Sequence, residues 1–302
     1  MIAAAMPQTR QSPIQGVLLL AAAVFLFAAM NATTKTLSAV YAIPVIMAAR
    51  YIIQTLMMVA LLVPQRGWRV FATRRTGLVA LRALALVASS LSLGLALKLM
   101  PVAETAALVF LAPMVVVLVA RPLLKETIGL FGWLAVITGF LGVLFIVRPG
   151  SGLDPWGVLF AGLTVIGTVA YQIMSRSLSR TETTLGLLFS TAMMGSVVFG
   201  AMVPFSFGGA VLSPLNAALL VSLGITGGLG HYLLTAAYRR APASLLAPVN
   251  YLELVWAGLL GWLVFSHLPD TLTAIGMAVV ASSGVLVALR SAHMARRRVG
   301  EV

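Results

Sequence analysis

The chain has 302 residues, of which 61% are hydrophobic and only 9% are charged. Soluble domains carry roughly 25% charged residues, so this composition excludes a soluble globular protein and indicates a chain that spans a membrane several times. The formal net charge of +13 arises from short basic clusters between apolar runs, which are typical of cytoplasmic loops beside anionic lipid and argue against a nucleic-acid partner.

Ten apolar runs are each long enough to cross a bilayer, for which a helix needs about 20 mostly apolar residues. Turn-forming prolines and glycines separate them, for example at Pro64 to Gly67 and at Pro149 to Gly152. Because the first run continues well past a signal-peptide core, we expect it to be retained. We predict an all-α integral membrane protein with ten transmembrane helices at residues 16–38, 43–63, 76–98, 101–120, 127–147, 154–175, 184–205, 215–238, 242–264 and 270–290.

The basic residues are distributed unequally between the two sides that ten spans define. With the N-terminus inside, three lie on the outer side (Lys35, Lys98 and Arg148), and Arg50 and Arg82 lie within spans. The cytoplasmic side holds fifteen: Arg10, Arg66, Arg69, Arg74, Arg75, Arg121, Lys125, Arg176, Arg180, Arg239, Arg240, Arg290, Arg296, Arg297 and Arg298. This asymmetry follows the positive-inside rule, and a miscount by one span would destroy it. We therefore predict that both termini are cytoplasmic, with residues 291–302 as a basic tail.

An internal repeat relates the two halves of the chain. Residues 96–101 read Ala-Leu-Lys-Leu-Met-Pro, and residues 237–242 read Ala-Tyr-Arg-Arg-Ala-Pro. At the same offset the apolar positions that follow also correspond: Ala106 with Ala247, Leu111 with Leu252 and Leu118 with Leu259. Because each half holds an odd number of spans, the second half begins from the opposite face of the membrane. We predict inverted five-helix repeats at residues 14–148 and 154–290, an architecture typical of secondary transporters.

Two motifs surround the matching turns of these halves. The first is Ala96–Ala106 followed by Leu123-Leu124-Lys125-Glu126, and the second is Asn250-Tyr251-Leu252-Glu253 followed by Gly261-Trp262-Leu263-Val264-Phe265. With them, nearly the whole chain resembles the EamA-type drug/metabolite transporter superfamily. In that superfamily each half tends to end this helix with a glutamate; Glu126 fits the pattern, but His267 stands at the second position. The resemblance implies a carrier of small organic metabolites in the bacterial inner membrane.

Ionisable residues inside the predicted spans are expected to have a functional or structural role, because a central charge costs about 2.5–3.5 kcal/mol on insertion scales. Glu253 lies near the middle of the ninth span, and we expect it to share a helix face with Asn250. Glu253 can bind a substrate ammonium or exchange a proton, or it can form a structural hydrogen bond with a neighbouring helix. Arg82 is expected to snorkel towards the cytoplasm.

Lys35, Arg50 and Glu104 lie at similar predicted depths on the outer side. They can form an outer gate or a fixed Arg50–Glu104 ion pair, which would let both charges remain buried. Alternatively, the planar fork of Arg50 can bind a substrate carboxylate. Both interpretations stay open at this point.

The candidate substrate-binding residues are polar and aromatic side chains predicted to lie between the halves. Structural alternatives exist for them: hydrogen bonds between helices, close packing at serine, or space filling by aromatic rings. The full set is Asn31, Arg50, Gln54, Ser89, Tyr171, His231, Asn250, Tyr251, Glu253 and Trp256.

We expect a secondary carrier that works by alternating access, above all an amino-acid exporter, with a carrier of vitamins, nucleobases, nucleotide sugars or drugs as the alternative. An enzyme is disfavoured because no nucleophile–base set is found, and a passive channel because of the repeat. His231, His267 and His293 lie on different segments, the chain has no cysteine, and it has no phosphate-binding Gly-Lys-Ser/Thr loop. No metal or cofactor is therefore expected. The sequence leaves monomer and homodimer open.

Overall fold

The computed structural model describes residues 13–124, 130–148, 151–178, 181–209, 211–241, 246, 249–283 and 285, and regular structure in these ranges is helical. The helices are α1 (Pro13–Leu37), α2 (Ile43–Arg66), α3 (Thr76–Leu99), α4 (Val102–Val109), α5 (Ala112–Leu124), α6 (Leu130–Val147), α7 (Pro155–Leu178), α8 (Thr184–Ser206), α9 (Pro214–Tyr238), α10 (Leu252–Phe265) and α11 (Thr271–Ser283). Glu126, Pro242, His293 and the tail at 291–302 lie outside the described residues.

Within the part of the chain that the structure describes, six helices are long and apolar enough to cross a membrane, namely α1 to α3 and α7 to α9. Shorter apolar helical stretches follow each group of three: Val102–Val116, Val136–Val147, Leu252–Phe265 and Thr271–Ser283. The predicted spans at 43–63, 76–98, 184–205 and 215–238 match α2, α3, α8 and α9 within a few residues. The chain is therefore a multi-pass membrane protein, while the count of ten spans stays a prediction.

Side-chain caps set the start of the three long helices in the second half. Asp154 Oδ1 accepts from the backbone N–H of Trp156 (2.8 Å) and of Gly157 (3.1 Å) at the start of α7. Thr183 and Ser213 accept from an N–H in the first turn of α8 and α9 in the same way. The first N–H groups of a helix have no partner within the helix, so each cap contributes about 1 kcal/mol. Local chemistry thus fixes these boundaries.

The fourth predicted span, 101–120, is not one helix. It is interrupted by a turn at Phe110 and Leu111, between α4 and α5. Pro113 lacks the N–H that an unbroken helix would direct to the carbonyl of Val109, which explains why the helix restarts there. In the ninth predicted span Tyr251 forms a turn immediately before α10. The rings of Phe110 and Tyr251 contact each other, with centroids 5.0 Å apart, so the two interruptions meet.

Helices of the first half pack mainly on helices of the second half. The principal pairs are α1 with α9, α2 with α8, and α3 with α7, and α2 and α3 also contact α9 and α8, respectively. α1 further packs on α10, while α7 packs on α4 and α5. Glycines allow close approach, since a Cβ on Gly224 would meet Ile53 and a Cβ on Gly195 would meet the ring of Tyr51. The interior is thus built from side chains of both halves.

Two of these contacts join residues that occupy matching positions in the sequence repeat. Thr55 Oγ1 and Ser196 Oγ are hydrogen-bonded at 3.0 Å, and these residues are 141 positions apart. Phe110 and Tyr251 are separated by the same number of positions. The offset seen in the sequence therefore recurs in pairs of side chains that touch.

Two carboxylates outside the long helices connect loops through hydrogen bonds and an ion pair. Glu182 accepts hydrogen bonds from the backbone N–H groups of Arg74 (2.8 Å) and Arg75 (2.9 Å). These bonds, the one from Arg74 above all, lower the pKa of Glu182 below its ordinary value. At another loop Arg148 Nη2 and Asp270 Oδ1 form an ion pair at 2.8 Å. Glu182 ties the loop before α3 to the loop before α8.

Candidate functional site

Arg82 of α3 is a buried cation with hydrogen-bond partners on two other helices. Its Nε donates to Ser175 Oγ at 2.6 Å, its Nη1 to Leu187 O and Thr191 Oγ1 at 3.0 Å each, and its Nη2 to Tyr171 OH at 2.8 Å. Only 3% of the residue is exposed, so the expectation that Arg82 snorkels to the cytoplasm is wrong. Arg82 instead joins α3 to α7 and α8.

Arg50 of α2 is also buried, but its bonding differs. The residue is 7% exposed, and its Nε has no hydrogen-bond partner among the described residues. Gln54, one turn further along α2, is 5% exposed, and its Oε1 lacks a partner in the same part of the chain. The guanidinium carbon lies 5.0 Å from the centroid of the Tyr51 ring. A buried polar atom without a partner costs about 1–3 kcal/mol, so two neighbouring ones need an explanation.

Gly227 of α9 faces this pair. A Cβ atom at Gly227 would lie 3.3 Å from Arg50 Nε, 3.4 Å from Met30 Sδ and 3.6 Å from Gln54 Oε1. His231 follows one turn later on the same face of α9. We refer to Arg50, Gln54, Gly227 and Met30, which pack together where α1, α2 and α9 meet, as the Arg50 pocket.

A second polar group lies between α1 and α10. Asn31 Nδ2 donates to Glu253 Oε1 at 3.3 Å, and Glu253 forms no ion pair within the described ranges. Trp256 packs edge-on against Phe25, with ring centroids 5.0 Å apart, and its buried Nε1 has no described partner. We refer to Asn31, Glu253 and Trp256 as the Glu253 cluster. Since Asn31 directly follows Met30 on α1, the cluster and the Arg50 pocket border neighbouring positions of one helix.

The ends of α1, α4 and α10 carry a third group. Glu104 Oε1 lies 2.8 Å from His267 Nε2, and Lys35 Nζ donates to the carbonyls of Leu97 (2.9 Å) and Met100 (2.7 Å) at the end of α3. The Arg50–Glu104 ion pair, one of the interpretations that the sequence left open, is therefore not formed. The physical reason is helix packing: α4 packs on α10 and α7, whereas α2 packs on α8 and α9. Arg50 and Glu104 were predicted at similar depths in the membrane, but they lie on helices that do not pack on each other.

Three other predicted binding residues have structural partners. Ser89 Oγ donates to Thr164 O at 3.0 Å and lies 2.9 Å from Thr168 Oγ1, which holds α3 against α7. Tyr171 accepts the bond from Arg82 described above. Asn250 Nδ2 lies 3.4 Å from Tyr238 OH, and the turn at Tyr251 separates Asn250 from Glu253. That Asn250 and Glu253 share one helix face stays a prediction.

The structure thus brings the predicted residues together in two places, the Arg50 pocket with His231 and the Glu253 cluster beside Tyr251. Sequence reasoning missed Met30, Gly227 and Phe110. Phe110 could have been found, because the repeat offset aligns it with Tyr251 and because Pro113 signals a broken helix. Nothing in the sequence marks Met30 among the other apolar residues of α1.

Comparison with known proteins decides the family. The sequence profile of the EamA-like transporter family matches residues 14–148 and again residues 155–289. The chain belongs to the EamA-like transporter family. As a member of this family it is a multi-pass protein of the bacterial inner membrane.

Individual relatives of this EamA-like transporter carry more specific names. A riboflavin transporter of Rhizobium johnstonii is 29% identical over 196 residues, which are 63% of this chain and 63% of the relative, less than two thirds of its length. An S-adenosylmethionine uptake transporter of Rickettsia bellii is 26% identical over 222 residues, 73% of this chain and 75% of the relative. One solved crystal structure superposes with a TM-score of 0.66 at 21% identity, covering 95% of this chain and 99% of the other. At that identity the superposition establishes the fold alone.

Proposed function

We propose that the chain is a secondary transporter that carries a small organic solute by alternating access, with the solute bound beside the Arg50 pocket and the Glu253 cluster. The observation that carries the proposal is a pair of ionisable residues that have no oppositely charged partner in the described chain, the buried Arg50 and the half-buried Glu253. Charges inside a membrane protein are normally paired, and unpaired ones mark substrate or ion pathways.

The alternating-access part of the proposal requires two inverted repeats, at residues 14–148 and 154–290. Three observations support it: the family profile matches twice, the hydrogen bond of Thr55 with Ser196 joins positions 141 apart, and the helix pairs keep their pattern when the halves are exchanged. In that exchange α1 on α9 corresponds to α7 on α3. Such repeats rock against each other around a central substrate site.

The topology with both termini in the cytoplasm can be tested directly, because the chain contains no cysteine. Each introduced cysteine is therefore the single target of a membrane-impermeant thiol reagent. In intact cells we expect Ser151→Cys and Ser213→Cys to be labelled from outside, and Thr73→Cys and Thr181→Cys only after the membrane is permeabilised. The opposite pattern at two of these positions would reject the ten-span arrangement.

For the substrate we propose a polar heterocycle of the vitamin or nucleoside kind. The names of the relatives, for riboflavin and for S-adenosylmethionine, support this class over free amino acids. The side chains near these two groups suit such a solute, since Tyr251, Phe110 and Trp256 supply aromatic faces and Asn31 and Gln54 supply amide groups.

Amino-acid transport is the second candidate, and one observation favours it. The unpaired charges of Arg50 and Glu253 have opposite signs, which suits a zwitterion with its carboxylate at Arg50 and its ammonium at Glu253.

Uptake into proteoliposomes separates the two candidates. The purified protein is reconstituted and exposed to radiolabelled riboflavin, S-adenosylmethionine and phenylalanine, with Arg50→Ala vesicles and empty vesicles as controls. We expect uptake of at least one of the first two, and its loss in Arg50→Ala. Uptake of phenylalanine alone would favour the amino-acid carrier, and accumulation of none of a wider metabolite panel would reject the proposed function.

A further inference from the structure

The internal repeat places a proline at the same point after a long helix in each half. In an α-helix the carbonyl of Leu97 would accept from the N–H four positions later, but that residue is Pro101, which has no N–H. The carbonyl of Tyr238 is in the same situation, because Pro242 stands four positions later. Each half thus ends its third long helix with a carbonyl that needs a partner from outside the helix.

Lys35 of α1 supplies that partner in the first half. Its Nζ donates to the carbonyls of Leu97 at 2.9 Å and Met100 at 2.7 Å. A cation is favourable at the C-terminal end of a helix, because the carbonyls there carry partial negative charge. At the same end of the molecule Glu104 of α4 contacts His267, which follows α10. Polar contacts thus join the end of α1 to that of α3, and α4 to the end of α10.

The second half carries the same elements in its sequence. Arg176 stands at the repeat offset from Lys35, and each is the basic residue in the last turn of its helix, α7 and α1. At that offset Leu97 corresponds to Tyr238, the last residue of α9. A guanidinium can donate to two carbonyls as an ammonium can. Exchange of the halves therefore describes a second contact, that of Arg176 with the end of α9.

Helix packing within the two halves is unequal. α1 packs on α3, whereas α7 and α9, both described over their whole lengths, do not pack on each other to a comparable extent. Two inverted repeats in identical conformations would give both pairs the same packing. The structure therefore shows the first pair of helices held together and the corresponding pair of the second half further apart.

We propose that these two contacts alternate during the transport cycle. Lys35 bound to the end of α3 closes one end of the carrier, and Arg176 bound to the carbonyls of Tyr238 and Ala241 closes the other. The two exclude each other because the halves rock around a central solute site. In the conformation described here the carrier is open towards the ends of α7 and α9. The inference rests on the proposed function and identifies the contacts that define its two states.

Glu104 and His267 add a contact that the exchange does not repeat. The positions that correspond to them hold Leu245 and Glu126, and a leucine side chain forms neither hydrogen bonds nor ion pairs. The exchange thus replaces the lysine by an arginine but offers no equivalent of the carboxylate–imidazole contact. We therefore expect the conformation closed by Lys35 to be the more populated of the two.

Distances between spin labels can follow both contacts, because the chain has no cysteine of its own. One pair, Thr36→Cys with Leu99→Cys, lies at the ends of α1 and α3. The other pair, Ser177→Cys with Arg240→Cys, lies at the corresponding positions of α7 and α9, and all four side chains are exposed. Double electron–electron resonance on the purified full-length protein in lipid nanodiscs gives the populations of short and long distances for each pair.

Lys35→Met keeps the length of the side chain but removes its donor, so the ratio of short to long α1–α3 distances should fall about tenfold. The α7–α9 distances of the same variant should become shorter. Arg176→Met should produce the two opposite shifts. Lys35→Arg should leave both distributions unchanged, because arginine is the cation at the corresponding position. Arg148→Met is the matched control: Arg148 donates to the carbonyl of Phe145 in its own helix, so its loss should change neither distance.

Opposite shifts in the two variants cannot result from a general loss of structure, which would broaden both distributions. Unchanged distances in Lys35→Met or in Arg176→Met, or shifts of the same sign at both pairs, would overturn the proposal. In that case the proposed carrier still stands if proteoliposomes made from the original protein accumulate a solute. If they accumulate none, the proposed function fails whatever the distances show, so the two failures are distinguishable.

Discussion

Arg50 and Arg82 lie on neighbouring helices of the same half and are almost equally buried, yet their hydrogen bonding differs. Arg82 donates four bonds to α7 and α8, whereas Nε of Arg50 has no partner in the described chain. Thr191, which accepts from Arg82, occupies the position that corresponds to Arg50 in the other half. Burial alone therefore does not separate an arginine that binds a ligand from one that holds helices together. The distinguishing property is a buried polar atom that has no hydrogen-bond partner.

The strongest test of this contrast is removal of each guanidinium. Arg82→Ala leaves the acceptors on α7 and α8 without their charged donor, so we expect a loss of about 3 kcal/mol in the free energy of unfolding. Arg50→Ala breaks no hydrogen bond described here and should change that free energy by less than about 1 kcal/mol. Thermal unfolding of the detergent-solubilised variants measures both. Equal losses would remove the distinction between a structural and a functional arginine.

The same question, whether a residue has a structural role or acts in transport, applies to the carboxyl group of Glu253. Glutamine at this position is nearly isosteric and keeps an oxygen that can accept from Asn31 Nδ2, so Glu253→Gln should fold normally. If the charge or its proton serves transport, initial uptake by proteoliposomes should fall at least about tenfold or lose its dependence on external pH. Glu182→Gln, which neutralises a loop carboxylate outside the spans, is the matched control. Unchanged uptake and an unchanged pH profile in Glu253→Gln would leave Glu253 with a structural role only.

A smaller effect concerns the pairing of Glu104. A double-mutant cycle with Glu104→Gln and His267→Gln should give a coupling of about 1 kcal/mol, because the two side chains are in contact at 2.8 Å. The parallel cycle of Glu104→Gln with Arg50→Ala should give a coupling near zero. Unfolding free energies of the single and double variants supply both numbers. A coupling between Glu104 and Arg50 as large as that with His267 would restore the ion pair expected from the sequence.

The smallest expected effect lies outside the spans. Glu182→Gln weakens the acceptor that holds the loop at Arg74 and Arg75, so trypsin should cleave there a few-fold faster at pH 7. Because the folded-state pKa of Glu182 is lowered, its contribution is present above the ordinary carboxyl pKa and is lost as the pH falls through the lowered value. An acid-stable protease should therefore find the original loop protected near neutral pH and exposed in strong acid. Glu301→Gln, far along the chain, is the control.

Hydropathy predicted the long helices well because a bilayer-spanning helix needs little beyond apolar length; α2, α3, α8 and α9 begin and end close to the predicted residues. The same signal failed at Phe110 and Tyr251, where apolar residues continue through a turn. Hydropathy also did not predict which side chains form pairs, as the contact between Glu104 and His267 shows. Sequence position gives the depth of a residue along a helix, but the rotation of the helix and its neighbours decide which side chains meet. Arg50 and Gln54 could be placed on one face, although their lack of partners could be seen only in the fold.

The contacts between matching positions of the two halves suggest a history for the chain. A five-helix ancestor that associated with an inverted copy of itself would place one residue of each such contact against its own twin. Only side chains that pack well on themselves would have been accepted there. Thr55 and Ser196 differ by one methyl group, and Phe110 and Tyr251 differ by one hydroxyl group.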